Sequence, residues 1–264
     1  MAMRACEVRL KKILIVGDKG RMGGMLLQRA RNIGLHVLGI DQPLEQTELE
    51  EKAQGVSLAV FCVPAPVFAK VLERVCPHLP KNCIVSDITS VKELPMEAME
   101  GIWPGSFVGT HPLFGPEPDS SGPLPVAITP GRQLENADLD FCEAFWTSLG
   151  FTVFRCTPKE HDVAMAKIQN LNFITNLAYF ALLAGQTELY PYLTPSFRRR
   201  LASARKMLTE DASMFSALFE ANRNSHEVVR NYSRILNLAA SGDIGLLCER
   251  AKSWWPEAEA DKKV

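Results

Sequence analysis

The stretch ILIVGDKGRMGGMLLQRARNIGLHVLGID, Ile13 to Asp41, decides the fold. It places a strand (Ile13 to Val16), a glycine turn, a helix, and a second strand that ends in Asp41. Gly17, Gly20 and Gly23 allow a tight turn and close backbone approach, so the unpaired N–H groups of the helix N-terminus can face a pyrophosphate. An acid about 20 residues past the turn, here Asp41, is placed to accept hydrogen bonds from adenosine ribose hydroxyls. The same carboxylate would repel a 2'-phosphate, so NAD is expected rather than NADP. The spacing departs from G-x-G-x-x-G, because Asp18 takes the first glycine position with Gly17 just before it. A carboxylate beside phosphates is unhelpful electrostatically, and the glycines would also serve simply to pack a helix on a strand. The surrounding strand-turn-helix-strand unit, close to the chain start, favours nucleotide binding. Its candidate cofactor residues are Gly17, Asp18, Gly20, Arg21, Met22 and Asp41.

Outward from this unit, short apolar runs alternate with amphipathic stretches from Lys11 to about Thr157. LAVFCV, IVSDI, FVGTH, VAITP and FTVFRC read as further strands, with helices starting near Gly20, Val67, Val91 and Glu135. Near-continuous Val/Ile/Leu runs between helices are what a mostly parallel sheet covered on both faces requires. From Lys159 onward the strand signal ends. Apolar residues recur at helical spacing through Val163–Leu183, Phe197–Leu208, Met214–Phe219, Val228–Leu238 and Ile244–Trp254, with Pro191 and Pro195 as punctuation. The expected fold is α/β: a dinucleotide-binding domain over residues 1–157, followed by an all-helical domain over 158–264. The polar tail 257–264 is expected to fray. Strand LAVFCV ends at Val63, followed by Pro64 and Pro66. Ligands bind outside the carboxyl ends of such strands, so Val63, Pro64 and Val67 should border the cofactor; a proline-rich helix start accounts for them equally well.

The chain has 264 residues, 47% of them hydrophobic, enough for one large or two modest cores. Its formal net charge of -1 leaves no overall basic footprint for nucleic acid or acidic lipid, so neither is an expected partner. Seven cysteines are scattered with no C-x-x-C pair, against a structural zinc site or a disulfide framework. No metal is expected, and the cysteines suit a reducing compartment. The start, MAMRACEVRLKK, lacks an apolar signal core, and no later segment is a long uninterrupted apolar run. A cytoplasmic location is the expectation.

Two segments fall at neighbouring strand ends. DITSVKE presents Thr89, Ser90 and Lys92 as a helix begins, and VGTHPLFGP presents His111 among Pro112, Pro116 and Gly115. Ser90 suits a helix cap, and His111 suits a strand end closed by turn residues. Both also suit chemistry, with the hydroxyl orienting the imidazole.

The order VGDKGRMG, VPAPV, DITSVK, THPLFGP, EHDVAMAKIQ and then a helix with paired basic residues resembles the prephenate dehydrogenase family across nearly the whole chain. It is most similar to the dehydrogenase portion of the chorismate mutase/prephenate dehydrogenases. The resemblance implies a Rossmann-like domain, a helical domain that makes a homodimer, and an active site between them. It implies oxidative decarboxylation of prephenate to 4-hydroxyphenylpyruvate with NAD, in tyrosine biosynthesis. His111 would be the catalytic histidine, and Ser90 the serine that orients histidine and substrate. Prephenate is a dianion, and the basic segment Arg198, Arg199, Arg200, Arg205 and Lys206 supplies cations. Relatives grip the ring carboxylate with an arginine five residues before an Asp. The equivalent, counted back from Asp211, is Lys206, with Arg205 beside it, so either fills the role; Arg198 matches a second basic position. Gln169 and Asn170 lie where some relatives place a second histidine, and Glu117 resembles an acidic gate residue or a simple turn residue.

Three rivals remain at this stage. A β-hydroxyacid dehydrogenase or an imino-acid reductase has the same two-domain plan; the former would want a lysine followed four residues later by Asn, but Lys167 is followed by Leu171. A non-catalytic dinucleotide-binding sensor would need neither His111 nor Ser90. Arogenate, with an amine in place of the side-chain ketone, is an alternative substrate.

Overall fold

The computed structural model describes residues 8, 11–118, 122–132 and 134–255. Seven strands form one sheet: β1 (Lys12–Val16), β2 (Val37–Ile40), β3 (Val56–Phe61), β4 (Ile84–Asp87), β5 (Phe107–Pro112), β6 (Pro125–Pro130) and β7 (Thr152–Arg155). Their order is β2-β1-β3-β4-β5-β6-β7. All pairs are parallel except β5 with β6, which are antiparallel and joined by the proline-rich connection after His111. The helices of this part are α1 (Arg21–Asn32), α2 (Gln46–Ala53), α3 (Ala65–Val75), α4 (Glu93–Ile102) and α5 (Asn136–Ser148).

The apolar runs explain the layers. Side chains alternate across a strand, so Ile13 and Ile15 of β1 enter one core with Leu26 of α1 and Phe145 and Trp146 of α5. Leu14 and Val16 enter the other, with Leu49 of α2, Leu72 of α3 and Met99 of α4. A strand buried on both faces has no reason to alternate polar and apolar residues, and β1 does not. Helix α2 is an addition to the expected order. Its sequence QTELEEKA buries only Leu49 and Ala53, too thin a stripe to read from periodicity.

After β7 the chain is helical among the described residues: α6 (Pro158–Met165), a π-helical turn (Ala166–Asn170), α7 (Leu171–Leu182), α8 (Pro195–Thr209), α9 (Ala212–Ala221), α10 (Ser225–Ala240) and α11 (Ile244–Lys252). Thr157 caps α6 through a reciprocal pair with Glu160, and Pro195 opens α8 at its first position, where the missing N–H is harmless. The tail 257–264 lies outside the described residues. This region has little core of its own. Within α7, α8, α10 and α11 the buried residues are Phe173, Ala204 and Ser225, while Leu182 and Leu246 are 72% and 70% exposed. No helix is long and apolar enough to cross a membrane among the described residues.

Candidate active site

The turn after β1 is built around its glycines. Gly17 has φ +90, and a Cβ there would lie 2.6 Å from the carbonyl oxygen of Cys62, so only glycine fits. A Cβ on Gly23 would strike the Gly17 carbonyl, which is why α1 packs so closely on the turn. Gly20, at the N-cap of α1, has no side chain to satisfy the first N–H groups, and the first turn carries no acid. Those donors are left for an anion. Asp18 departs from the expected placing beside phosphates: its carboxylate folds back against Gly39 in β2, where any Cβ would collide with it. The missing side chain of Gly39 is what leaves room for that acid.

Beside the turn lies a crevice of about 360 Å³, lined by Val16, Gly17, Lys19, Gly20, Asp41, Gln42, Leu44, Cys62, Val63, Pro64, Val67 and Val71. Six of the expected cofactor residues thus meet in one cavity at the carboxyl ends of β1 and β3: Gly17, Gly20, Asp41, Val63, Pro64 and Val67. Asp41 accepts the Lys19 N–H at 2.9 Å and the Gln42 N–H at 2.6 Å, which fixes its carboxylate at the rim. Burial, then Asp87 and Asp18, pushes the Cys62 thiol far above its ordinary range, so Cys62 is a wall and not a nucleophile. Met22 is half-buried on α1. Arg21, at the first position of α1 and exposed, reaches across to Asp211 at 3.5 Å, the acid that opens α9.

Two strands along the sheet, His111 lies within β5 rather than on a loop, paired with Ala127 of β6 and 4% exposed. Beneath it a fully buried ion pair ties three chain segments together. Lys92 Nζ donates to Asp87 Oδ2 at 2.5 Å and to the Thr110 carbonyl at 2.6 Å. The other Asp87 oxygen accepts the Thr110 N–H at 3.2 Å, and Oδ2 also takes the Thr89 N–H at 2.9 Å and its hydroxyl. A buried pair of this kind holds geometry because every charge finds partners. Burial pushes the Lys92 ammonium below its usual range, opposed by Asp87.

The partner of His111 is one that sequence reasoning did not single out. Its Nδ1 lies 2.9 Å from Nε2 of His161, and His161 Nδ1 lies 2.7 Å from Asp162 Oδ1. Asp162 also accepts the Lys92 N–H at 2.7 Å and the Glu93 N–H at 3.0 Å, so it caps α4 from another part of the chain. Asn222 donates to the Asp162 carbonyl at 2.8 Å, and Arg223 forks onto Glu97 at 2.7 and 2.8 Å. The helical region is thereby pinned to α4 and to the histidine pair. Burial first, then His161 and Lys92, hold the His111 imidazole well below its ordinary value, so the ring stays neutral. Ser90 is half-buried beside this cluster, and no hydrogen bond joins it to His111; His161 takes that place. A histidine next to an acid just after a capped helix start was the available signal, in EHD.

On α8, Arg198, Arg205 and Lys206 are exposed, with no side-chain hydrogen bond or ion pair among the described residues. Arg200 is otherwise engaged, 3.9 Å over the Tyr179 ring. With 3.6 residues per turn, Arg198 and Arg205 share a face beside the inward stripe of Phe197, Ala204 and Leu208, and Lys206 points away from it. Gln169 and Asn170 sit on the π-helical turn, a feature that often marks a functional position. Asn170 donates to Ser225 at 2.9 Å, and the oxygens Gln169 Oε1 and Asn170 Oδ1 are buried without a partner. Glu117 is exposed on the connection after β5.

A Rossmann-like sheet with a glycine-built anion cradle, joined to a helical region through a buried histidine pair, defines the fold class as a nucleotide-binding α/β sheet followed by a helical region. Residues 30–154 match the family model described as "Prephenate dehydrogenase, nucleotide-binding domain". Among curated relatives, the chain is 28% identical over 229 residues to the "T-protein" of Enterobacter agglomerans, covering 84% of this chain and 60% of that one. It is 25% identical over 281 residues to the "Probable arogenate/prephenate dehydrogenase" of Methanocaldococcus jannaschii, covering 94% and 62%. The chain thus spans about three-fifths of the length of these relatives. The fold is that of a solved prephenate dehydrogenase from A. aeolicus in complex with hydroxyphenyl propionate and NAD+ (TM-score 0.77, 20% identity, 92% of this chain and 95% of that one). Synechocystis arogenate dehydrogenase superposes with TM-score 0.74 at 22% identity, over 96% and 100%.

Proposed function

We propose that the chain is an NAD-dependent dehydrogenase that oxidatively decarboxylates prephenate to 4-hydroxyphenylpyruvate, a step of tyrosine biosynthesis. The observation that carries this reading is the buried imidazole of His111, bonded to His161 and held at the carboxyl end of β5 in the sheet whose β1 and β3 ends form the crevice. NAD fits that crevice: Gly17 leaves room against Cys62, the first N–H groups of α1 are uncapped for the pyrophosphate, and Asp41 stands at the rim for ribose hydroxyls. When bound, NAD supplies the acceptor for the hydride that leaves C4 of the substrate. His111 accepts the proton of the 4-hydroxyl. The carbonyl that develops at C4 draws electrons through the ring, the bond from C1 to its carboxylate breaks, and CO2 leaves as the ring becomes aromatic. A neutral imidazole base of this kind contributes about 100- to 10,000-fold.

The dianionic substrate needs cations. Arg198 and Arg205 are assigned to its carboxylates, because they share one face of α8 and no residue described neutralises them; a guanidinium also grips a carboxylate with two donors, which Lys206 lacks. Ser90 is assigned a substrate contact beside His111. Gln169 and Asn170 complete the side-chain end of the site. Their two unpartnered acceptor oxygens suit an ammonium better than a ketone, and this favours arogenate as the second reading.

The nucleotide domain is assigned to residues 1–157 and the helical one to 158–264, the division falling between the end of β7 and the capped start of α6. The helical domain is assigned to a homodimer interface, since its exposed leucines find no cover among the described residues. A cytoplasmic location accords with six described cysteines that are all free thiols. The test is NADH formation with NAD and either prephenate or arogenate. Turnover of prephenate is expected; turnover of arogenate alone moves the assignment to the second reading, and turnover of neither removes both.

A further inference from the structure

We infer that His161 and Asp162 are positioning residues that hold His111 as its Nδ1–H tautomer, which leaves Nε2 as the nitrogen that takes a proton. The geometry gives this step by step. Asp162 accepts two backbone N–H groups, one on each side-chain oxygen, at 2.7 and 3.0 Å, so both oxygens act as acceptors. His161 Nδ1, 2.7 Å from Asp162 Oδ1, must carry the proton of that contact. With a single ring proton committed to Asp162, His161 has only the Nε2 lone pair to offer, so the donor across the 2.9 Å contact is His111 Nδ1. The proton positions follow from this network alone. His111 Nε2 has no hydrogen-bond partner among the described residues.

The arrangement does for His111 what a carboxylate does when it bonds directly to a catalytic imidazole: it sets which nitrogen is basic and fixes the plane of the ring. Here the carboxylate acts through a second imidazole. The same Asp162 caps α4 and receives Asn222, so the tautomer of His111 depends on the helical region being docked. The cation formed when Nε2 gains a proton would lie two hydrogen bonds from Asp162, with Lys92 as the opposing charge beneath.

The inference rests on the proposed dehydrogenase reading only for its kinetic consequence. Histidine-selective 15N NMR of the unmodified protein at pH 7.5, with the His111 signals assigned by their loss in His111→Asn, reads the tautomer with no assay of activity. A protonated-type shift at His111 Nδ1 and an unprotonated one at Nε2 are expected. The reverse pattern would mean that His161 donates to His111, and would overturn the inference. In kinetics, His161→Gln keeps an acceptor for His111 and a donor for Asp162, whereas His161→Phe keeps neither. Phe should lower kcat by about 100-fold with substrate KM little changed, and Gln should recover to within about 10-fold of the unmodified enzyme. Equal losses in both variants, with the Nδ1–H tautomer kept in each, would also overturn it. If the unmodified protein turns over neither prephenate nor arogenate, the dehydrogenase reading fails, and the nitrogen spectrum still decides the tautomer.

Discussion

Asparagine at position 162 changes one atom of the residue on which the two regions of the chain converge. Asp162 is 1% exposed and accepts three N–H groups, from Lys92, Glu93 and His161. Hydrogen bonds to a charged group contribute about 1.5 to 3 kcal/mol each. Asn keeps one oxygen, which can stay with Lys92 and His161 at reduced strength. Its NH2 group must then face the Glu93 N–H, so a good contact becomes donor against donor. Loss of that bond, weakening of the other two and an uncapped α4 add to about 3 to 5 kcal/mol, the range for breaking a buried charged contact. For a chain of this size each kcal/mol moves Tm by roughly 2 to 4 °C, which gives a fall of roughly 6 to 20 °C. Thermal unfolding followed by circular dichroism, with urea midpoints as a second measure, reads the change. A Tm within about 2 °C of the unmodified protein would show that these contacts contribute nothing net, and the account of how the helical region is held would be wrong.

Other outcomes follow from the same geometry. Because His111 is held below its ordinary value by burial and then by His161 and Lys92, the unfolded chain binds its proton first as pH falls, so stability should decline below about pH 6.5, by up to about 1.4 kcal/mol per unit. Above that pH the group adds no slope, and urea midpoints at pH 7.5 and 5.5 measure the difference; kcat should likewise stay level through pH 6.5 and fall only on the acid side of it. Gly17→Ala places a methyl 2.6 Å from the Cys62 carbonyl at a positive φ, and should abolish nucleotide binding measured by calorimetry while lowering Tm. Normal binding there would mean that the crevice is not the cofactor site. Light scattering should give a mass twice that of the chain, and a monomer at micromolar concentration would leave the exposed leucines of α7 and α11 without an occupant.

The fold was largely legible because β1, β3, β4 and β5 are buried on both faces, so β1 and β3 show as near-continuous apolar runs and β4 and β5 begin with apolar pairs between helices. Helix α2 escaped because two apolar residues make no periodicity. The turn of β6 against its neighbour escaped because direction depends on the path of the connection, not on the composition of the strand. At the site, Gly17 and Asp41 were readable because the chemistry of a phosphate cradle is local. The His111–His161 contact was not: fifty residues separate the two, and nothing in THPLFGP or EHD states that they meet. Lys92 read as a helix-start residue, yet it is fully buried, since only tertiary structure brings Asp87 and the Thr110 carbonyl around its ammonium.

Whether His111 is the base of a dehydrogenase is read from steady-state NADH formation from prephenate by the His111→Asn variant. Asparagine keeps a hydrogen bond and similar size but cannot take the proton. A kcat lower by about 100-fold or more is expected, with NAD affinity and substrate KM little changed and Tm near that of the unmodified protein. A variant that keeps near-normal kcat would contradict it, and His111 would then be a buried strand residue that only binds His161.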